Sequence, residues 1–408
     1  MPTTRGTGPL LPTTTARTTA TLFSPLSRTT QKEHVAIDEV FDAYYDCRRR
    51  KRSKRSAVAY EMDYELKNYR LWQELNAMTY RPTTSITFCV TRPKLREVFA
   101  ADFRDRVVHH LFIGKINGEI ERRLTHSCCA CRNGKGTLYA ARRLRETMKQ
   151  EEGGWYARCD IRGFFMSIDK HILSRLVNDV VCKSVKEDLG WWLWLADTLV
   201  WHRPEKDCEM RGDLSLWDGL PDNKTLFKTG GCGLPIGNLT SQVLANLYLA
   251  AFDEYMIEMM GSEMRYLRYA DDFVMIHPDK KVLMKAVAEA QKWLAEERGL
   301  ELHPRKVCVQ RVERGMRFVG YFIKCGVIHA GRRMRTNALR LCEEWSRKEN
   351  HSDDERRRLM ARYNSYSGMV KHTASYRLRR KMWRTLEDYE KIYNIGMTKI
   401  KVKHETIH

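Results

Sequence analysis

The sequence has no hydrophobic run long enough to cross a bilayer. Its most apolar stretch, from Trp191 to Trp201, is short and carries Asp197, so no membrane helix is expected. No apolar core follows Met1-Pro2-Thr3-Thr4-Arg5, so no secretory signal is expected. Glycine supplies 24 of 408 residues, far below the share a collagen-like repeat needs. The 12 cysteines are scattered and form no disulfide framework, and with no signal they point to a reduced, cytoplasmic setting. There is one C-x-x-C, Cys128 to Cys131, with no second pair at matching spacing, so no structural zinc is expected. Internal repeats are absent. Acidic residues are in deficit: 51 Asp and Glu face 72 Lys and Arg, a net charge of +21. Such an excess points to a polyanionic partner, above all nucleic acid.

What is present is an ordinary globular mix, 43% hydrophobic and 30% charged, which excludes wholesale disorder. Residues 1–30 are Thr-rich without an apolar period and read as a disordered segment or a start-site artefact. The run from Cys47 to Arg55 reads either as a solvated charged face or as a phosphate contact, and the basic excess favours the second. Helices are expected over Val35–Tyr45, Glu61–Met78, Arg106–Leu124, Leu239–Tyr255 and Lys280–Arg298, and from Asp169 as N-cap to Val181. Strands are expected over Ser85–Val90, Trp155–Ile161, Val307–Arg311 and Phe318–Lys324, and as a hairpin over Met264–His277. Three basic helices should start near Thr336, Asp353 and Thr373. The resulting division is 31–150 for an N-terminal basic region, 151–330 for a central body with a Trp-rich insertion at 183–230, and 331–408 for a basic helical appendage. This is an α+β chain.

The carboxylates carry the chemistry. In Arg268-Tyr269-Ala270-Asp271-Asp272-Phe273 two adjacent acids sit at a tight turn between apolar runs. Alone, the pair reads more readily as an exposed turn. Asp160, ending an apolar strand, changes that reading, because three converging carboxylates repel one another unless a cation joins them. Oxygen ligands of this kind suit Mg²⁺, two ions of which would serve an in-line phosphoryl transfer, with Mn²⁺ as a substitute.

Tyr269-Ala270-Asp271-Asp272 resembles the YxDD box of reverse transcriptases. Asp160-Ile161-Arg162-Gly163-Phe164-Phe165 resembles their first catalytic motif, with Phe165 in the place of the residue that gates the ribose 2′-hydroxyl, though either phenylalanine alone also reads as core. The resemblance continues in order. Arg92 to Arg96 and Asp102 to Val108 resemble the fingers, which puts Lys94 and Arg96 at the triphosphate. Cys131 to Thr137 resembles a Gly-rich turn on the template side. Leu302-His303-Pro304-Arg305-Lys306 resembles the motif whose Lys approaches the phosphates and protonates pyrophosphate. Phe318-Val319-Gly320-Tyr321 resembles the primer grip, and Arg362 to Gly368 with Lys371-His372 resembles a helical thumb. The ordered set covers roughly residues 35–395 and is far more specific than any single box.

The resemblance implies a right-hand fold of fingers, palm and thumb. It places Ile161, Phe165 and Gln242 with Lys94 and Arg96 at the nucleotide. It places Arg132, Lys135, Gly237, Asn238, Gly320, Tyr321 and Lys371 along template and primer. Within Gly233 to Gln242, Ile236 stands where intron and retron enzymes carry Gln, a pattern similar to diversity-generating retroelements. Those elements, bacterial or phage-encoded, copy a template-repeat RNA into cDNA with errors opposite adenine. An Ile cannot hydrogen-bond near the nucleotide, so positioning there rests on packing alone. Ile236 and Arg96 are thus the fidelity candidates, against a plainer reading of Ile236 as core. The implied partners are template RNA, the RNA/cDNA duplex, dNTPs and a pentameric basic accessory protein. The chain ends at His408 without an evident nuclease domain, so nicking and RNA removal are expected from elsewhere. Two rival readings are a retron, intron-like or defence-associated enzyme of ordinary fidelity, and a non-catalytic RNA-binding scaffold on the same fold.

Overall fold

The computed structural model describes residues 32–385, apart from Arg50, Ser53, Pro93, Cys325 and residues 348–350. The Thr-rich segment, Pro93 of the first fingers box, and the end of the third C-terminal helix as expected therefore lie outside the described residues.

The N-terminal part is helical. Helix α1 (Ile37–Arg48) buries Val40, Ala43, Tyr44 and Cys47, one stripe at helical spacing. Helices α2 (Arg55–Glu61) and α3 (Tyr64–Asn76) follow, then the hairpin β1 (Ser85–Val90) and β2 (Arg96–Ala100). Asp102 accepts a bond from Arg104 N at 2.9 Å and so caps α4 (Phe103–Arg123). This helix runs through Gly114 and Gly118 because Val107, Val108, Leu111, Phe112, Ile116 and Ile120 are locked in the core. Helix α5 (Thr137–Gln150) was not expected, although Leu138, Ala141, Leu144 and Met148 recur at its period.

The central sheet begins with β3 (Trp155–Asp160). Asp169 then caps α6 (Lys170–Ser184), its side chain accepting from His171 N and Ile172 N. The tryptophans of the expected insertion form α7 (Leu189–Val200), with Trp191 and Trp192 2% exposed in the main core. Strand β4 (Cys208–Arg211) pairs parallel to β1, so the segment is built into the N-terminal sheet in the order β2-β1-β4 rather than standing apart. The single helix expected over Leu239–Tyr255 is two, α8 (Leu239–Tyr248) and α9 (Ala250–Met260), broken at Leu249 with ψ near 7°. Both stretches are apolar, so periodicity carries through the break.

Strands β5 (Tyr266–Tyr269) and β6 (Asp272–His277) form the expected hairpin, and α10 (Lys280–Arg298) ends at left-handed Gly299. With β7 (Cys308–Arg311) the central antiparallel sheet reads β5-β6-β3-β7. Side-chain alternation sorts its two faces. Ala157, Cys159, Tyr266, Phe273 and Met275 join the helical core, whereas Tyr156, Leu267, Val274 and Ile276 join a second core with α5. That second core includes β8 (Met316–Phe318), β9 (Tyr321–Lys324) and β10 (Val327–Ala330), a sheet in the order β10-β9-β8. The one strand expected over Phe318–Lys324 is thus a hairpin. Its two-residue turn is Val319 and Gly320, with φ of 42° and 91°, the sign a tight hairpin turn requires. The C-terminal helices α11 (Arg332–Ser346), α12 (Asp353–Val370) and α13 (Tyr376–Arg384) close on Leu341, Leu359, Tyr363 and Met382. The α+β class of the sequence reading is the observed one.

Candidate active site

The two-residue turn between β5 and β6 sets the site. Ala270 adopts φ of 57°, a left-handed conformation that costs a non-glycine residue about 1–2 kcal/mol. The turn is held from below. Arg268 is fully buried, and its Nη1 donates to Ala270 O at 3.0 Å. The same guanidinium reaches both oxygens of Asp253 on α9 at 2.6 Å, and Tyr266 Oη donates to Asp253 at 2.7 Å. Arg268 Nη1 also meets Asn246 Oδ1 on α8 at 3.3 Å, and Asn246 Nδ2 donates to Ala130 O at 2.8 Å. The main chain of Arg268 bonds Ser127 O and Cys129 N, each at 2.9 Å. One buried fork therefore ties the turn, α8, α9 and the segment before the Gly-rich turn together.

Asp160 and Asp272 face each other in the β3–β6 ladder, and Ile161 N donates to Asp271 O at 3.1 Å. Like charges directly opposite are unfavourable. Two cations relieve them. Lys306 donates to Asp160, and Arg158 Nη2 reaches both oxygens of Asp272 at 2.9 and 3.2 Å. Lys306 arrives because the 301–306 segment lies along the strand end, with His303 N on Asp160 O at 2.8 Å and Arg162 N on Glu301 O at 2.8 Å. Among the described residues Asp271 has no ion-pair partner. Burial, then Asp160 and Asp272, raise its carboxyl to about 6. The set fits a hard divalent cation in charge and ligand type. Among the described residues no three potential ligands stand ready as a cage, and Lys306 and Arg158 pair with two of the carboxylates.

Around this centre, Phe164 is buried and Phe165 is half-buried against the main core. Lys94 and Arg96 are exposed. Ile236 is half-buried against Phe99, Met166 and Leu226, and its carbonyl accepts Phe99 N at 2.8 Å. A Cβ at Gly237 would lie 2.5 Å from Phe99 O, so only glycine lets this loop lie against β2. Gln242 is exposed on the first turn of α8, 3.5 Å from Cys131 Sγ. Lys371 is exposed at the end of α12, and Gly320 is exposed in the β8–β9 turn.

Several expected contacts turn inward. Ile161 is 1% exposed and packs in the core, offering only its backbone. The Arg132 side chain is satisfied by Glu121 Oε2 at 2.8 Å and by the carbonyls of Thr125 and Cys128, so it braces the end of α4. Lys135 donates to the His126 and Cys128 carbonyls at 3.1 and 3.3 Å. Asn238 is buried and accepts Ala101 N at 3.3 Å. Tyr321 is a core residue, 4% exposed. The sequence reading missed Arg158, Arg268 and Asp253. Their signal was a charge within an apolar strand or helix; Arg158 also shares the face of Asp160, two residues on.

Several solved structures resemble this one at a distance. Candida albicans telomerase, complexed with a fragment of telomeric RNA, is 10% identical with a TM-score of 0.45, over 81% of this chain and 62% of that one. Apo telomerase of Candida tropicalis is 10% identical with a TM-score of 0.46, over 75% and 56%. The RNA-dependent RNA polymerase of a human picobirnavirus is 10% identical with a TM-score of 0.44, over 74% and 56%. The chain thus spans less than two thirds of each of these proteins. Comparison with curated proteins returns no match. Residues 91–323, more than half of the chain, match the family described as reverse transcriptase (RNA-dependent DNA polymerase), and the protein belongs to that family.

Proposed function

We propose that this chain polymerises DNA on an RNA template with relaxed selection of the incoming nucleotide, as in diversity-generating retroelements. The catalytic part rests on Asp160, Asp271 and Asp272, gathered at one strand end and turn with Lys306 beside them. These three would hold divalent ions, Mg²⁺ in the first place, which when bound offset phosphate charge and favour ionisation of the primer 3′-hydroxyl. Lys306 would then exchange Asp160 for a phosphate oxygen. Lys94 and Arg96 would take the triphosphate, and Phe165 would face the sugar.

The observation that carries the relaxed selection is Ile236. Its side chain packs into a small apolar cluster at the foot of β2, and Leu234 of the same loop donates its N–H to Phe165 O at 2.8 Å. An apolar residue on the loop beside Phe165 supplies no hydrogen bond to nucleotide or template. Template RNA, its cDNA duplex and a basic pentameric accessory protein are the partners of this reading.

Primer extension on an RNA template with Mg²⁺ and dNTPs, followed by sequencing of the cDNA, tests it. Errors concentrated opposite adenine are expected, and Ile236→Gln should reduce them. Active but even-handed copying would place the chain with retron or intron-like enzymes. No incorporation by a folded, RNA-binding protein would leave a scaffold.

A further inference from the structure

Glu97 is the observation that the site above does not use. It is fully buried in β2, next in sequence to Arg96, and its carboxylate meets no cation among the described residues. Each of its bonds comes from one segment of the expected insertion. Trp217 Nε1 donates at 2.7 Å, Thr225 Oγ1 at 2.8 Å and Leu226 N at 2.7 Å. A buried carboxylate is costly unless donors surround it, and here all the donors are neutral and all come from residues 217–226. Undocking that segment would strand the charge, so strand and segment hold one another.

The docked segment reaches the nucleotide site on three sides. A Cβ at Gly163, in the motif that carries Asp160 and Phe165, would lie 2.8 Å from Asn223 O. Gly219 sits against Leu95 between Lys94 and Arg96, its Cβ position 3.5 Å from Leu95 Cδ2. Leu226 packs with Phe99 and Met166, and Ile236 joins the same cluster. Strand alternation sends Glu97 inward and Arg96 outward, so anchoring one aims the other.

We propose that residues 213–228, anchored on Glu97, form a positioning wedge that sets the gap between Arg96 and Phe165 and thereby tunes deoxynucleoside triphosphate binding and selection. This assigns a role to the Trp-rich insertion. It rests on placing the incoming nucleotide between Arg96 and Phe165.

The test uses the full chain and steady-state primer extension. The variants are Thr225→Val, which keeps shape and removes one donor, Trp217→Phe, and Glu97→Gln. Each should raise KM for dNTP by about three- to tenfold and shift the ratio of wrong to right incorporation, with kcat nearly kept. Melting temperature should fall by about a few degrees, because a buried carboxylate loses a donor, while RNA affinity stays close to that of the parent. Unchanged KM and error ratio in folded Thr225→Val would overturn the wedge. So would a loss of kcat alone that tracks a lower melting temperature. Should Glu97→Gln fail to fold, Thr225→Val still decides. Arg96→Ala separates the underlying placement: an unchanged KM there overturns the position of the nucleotide, whereas a raised KM with Thr225→Val silent overturns the wedge alone.

Discussion

Asp271 pays electrostatically for its position, and that gives it two separable consequences. Asp271→Asn should abolish incorporation while leaving RNA binding within about twofold, since no phosphate contact is assigned to it. Filter binding beside primer extension checks this, and an equal loss of both would make the residue structural. The second consequence concerns stability without metal. The folded carboxyl, raised to about 6, holds its proton more tightly than the unfolded one. Its charge therefore opposes folding above about pH 6, and that opposition fades as the pH falls through 6 toward 4. In EDTA at pH 7.5, Asp271→Asn should be more stable than the parent by up to about 2 kcal/mol, and the gain should shrink as the pH falls through 6 and vanish only below about pH 4. Thermal melts across pH read it. Arg268 behaves oppositely. Arg268→Leu strands Asp253, which is 0% exposed, and should cost about 3–5 kcal/mol in urea denaturation. Arg268→Lys keeps the charge and loses the fork that reaches both Asp253 and Ala270, so kcat should fall more than stability.

At the scale of elements, the β8–β9 turn is open to improvement. Val319 is β-branched and holds φ of 42°, where Asn sits at less cost. Val319→Asn should raise stability by about 1 kcal/mol, read as a higher urea midpoint at unchanged slope. Much at this scale was legible beforehand. The strand ending in Asp160, the cap at Asp169 and the hairpin around Asp271 follow from alternation, capping chemistry and turn residues, all of them local. What escaped is non-local. Strand β4 exists because β1 offers it a partner, and Trp191, one of a tryptophan cluster more typical of core or interface than of a base-stacking platform, finds its partner far back in the chain, donating its Nε1 to Leu75 O at 2.8 Å. Local pattern carries no sign of either. The site divides the same way. Its carboxylates were legible as a motif, whereas the inward turn of Arg132 and Asn238 depends on carbonyls and N–H groups that only the folded chain brings near.

For the whole molecule, a net charge of +21 makes nucleic-acid affinity a matter of ion release. With roughly six phosphates neutralised, the observed RNA affinity should fall about a thousandfold between 50 and 200 mM salt. Fluorescence anisotropy across that range checks it, and a flat response would remove the basic surface from recognition. The pairing of β1 with β4 has a consequence for biosynthesis. Ser85 meets Cys208, so the partner strand is made long after the edge that needs it. At ordinary ribosomal speeds the unpaired edge of the β1–β2 hairpin waits roughly 6–25 s for β4. During that interval it offers free backbone donors and acceptors to any neighbouring chain. Pausing between these two codon stretches would lengthen the window, and a chaperone that shields strand edges would act on this protein while it is still attached to the ribosome.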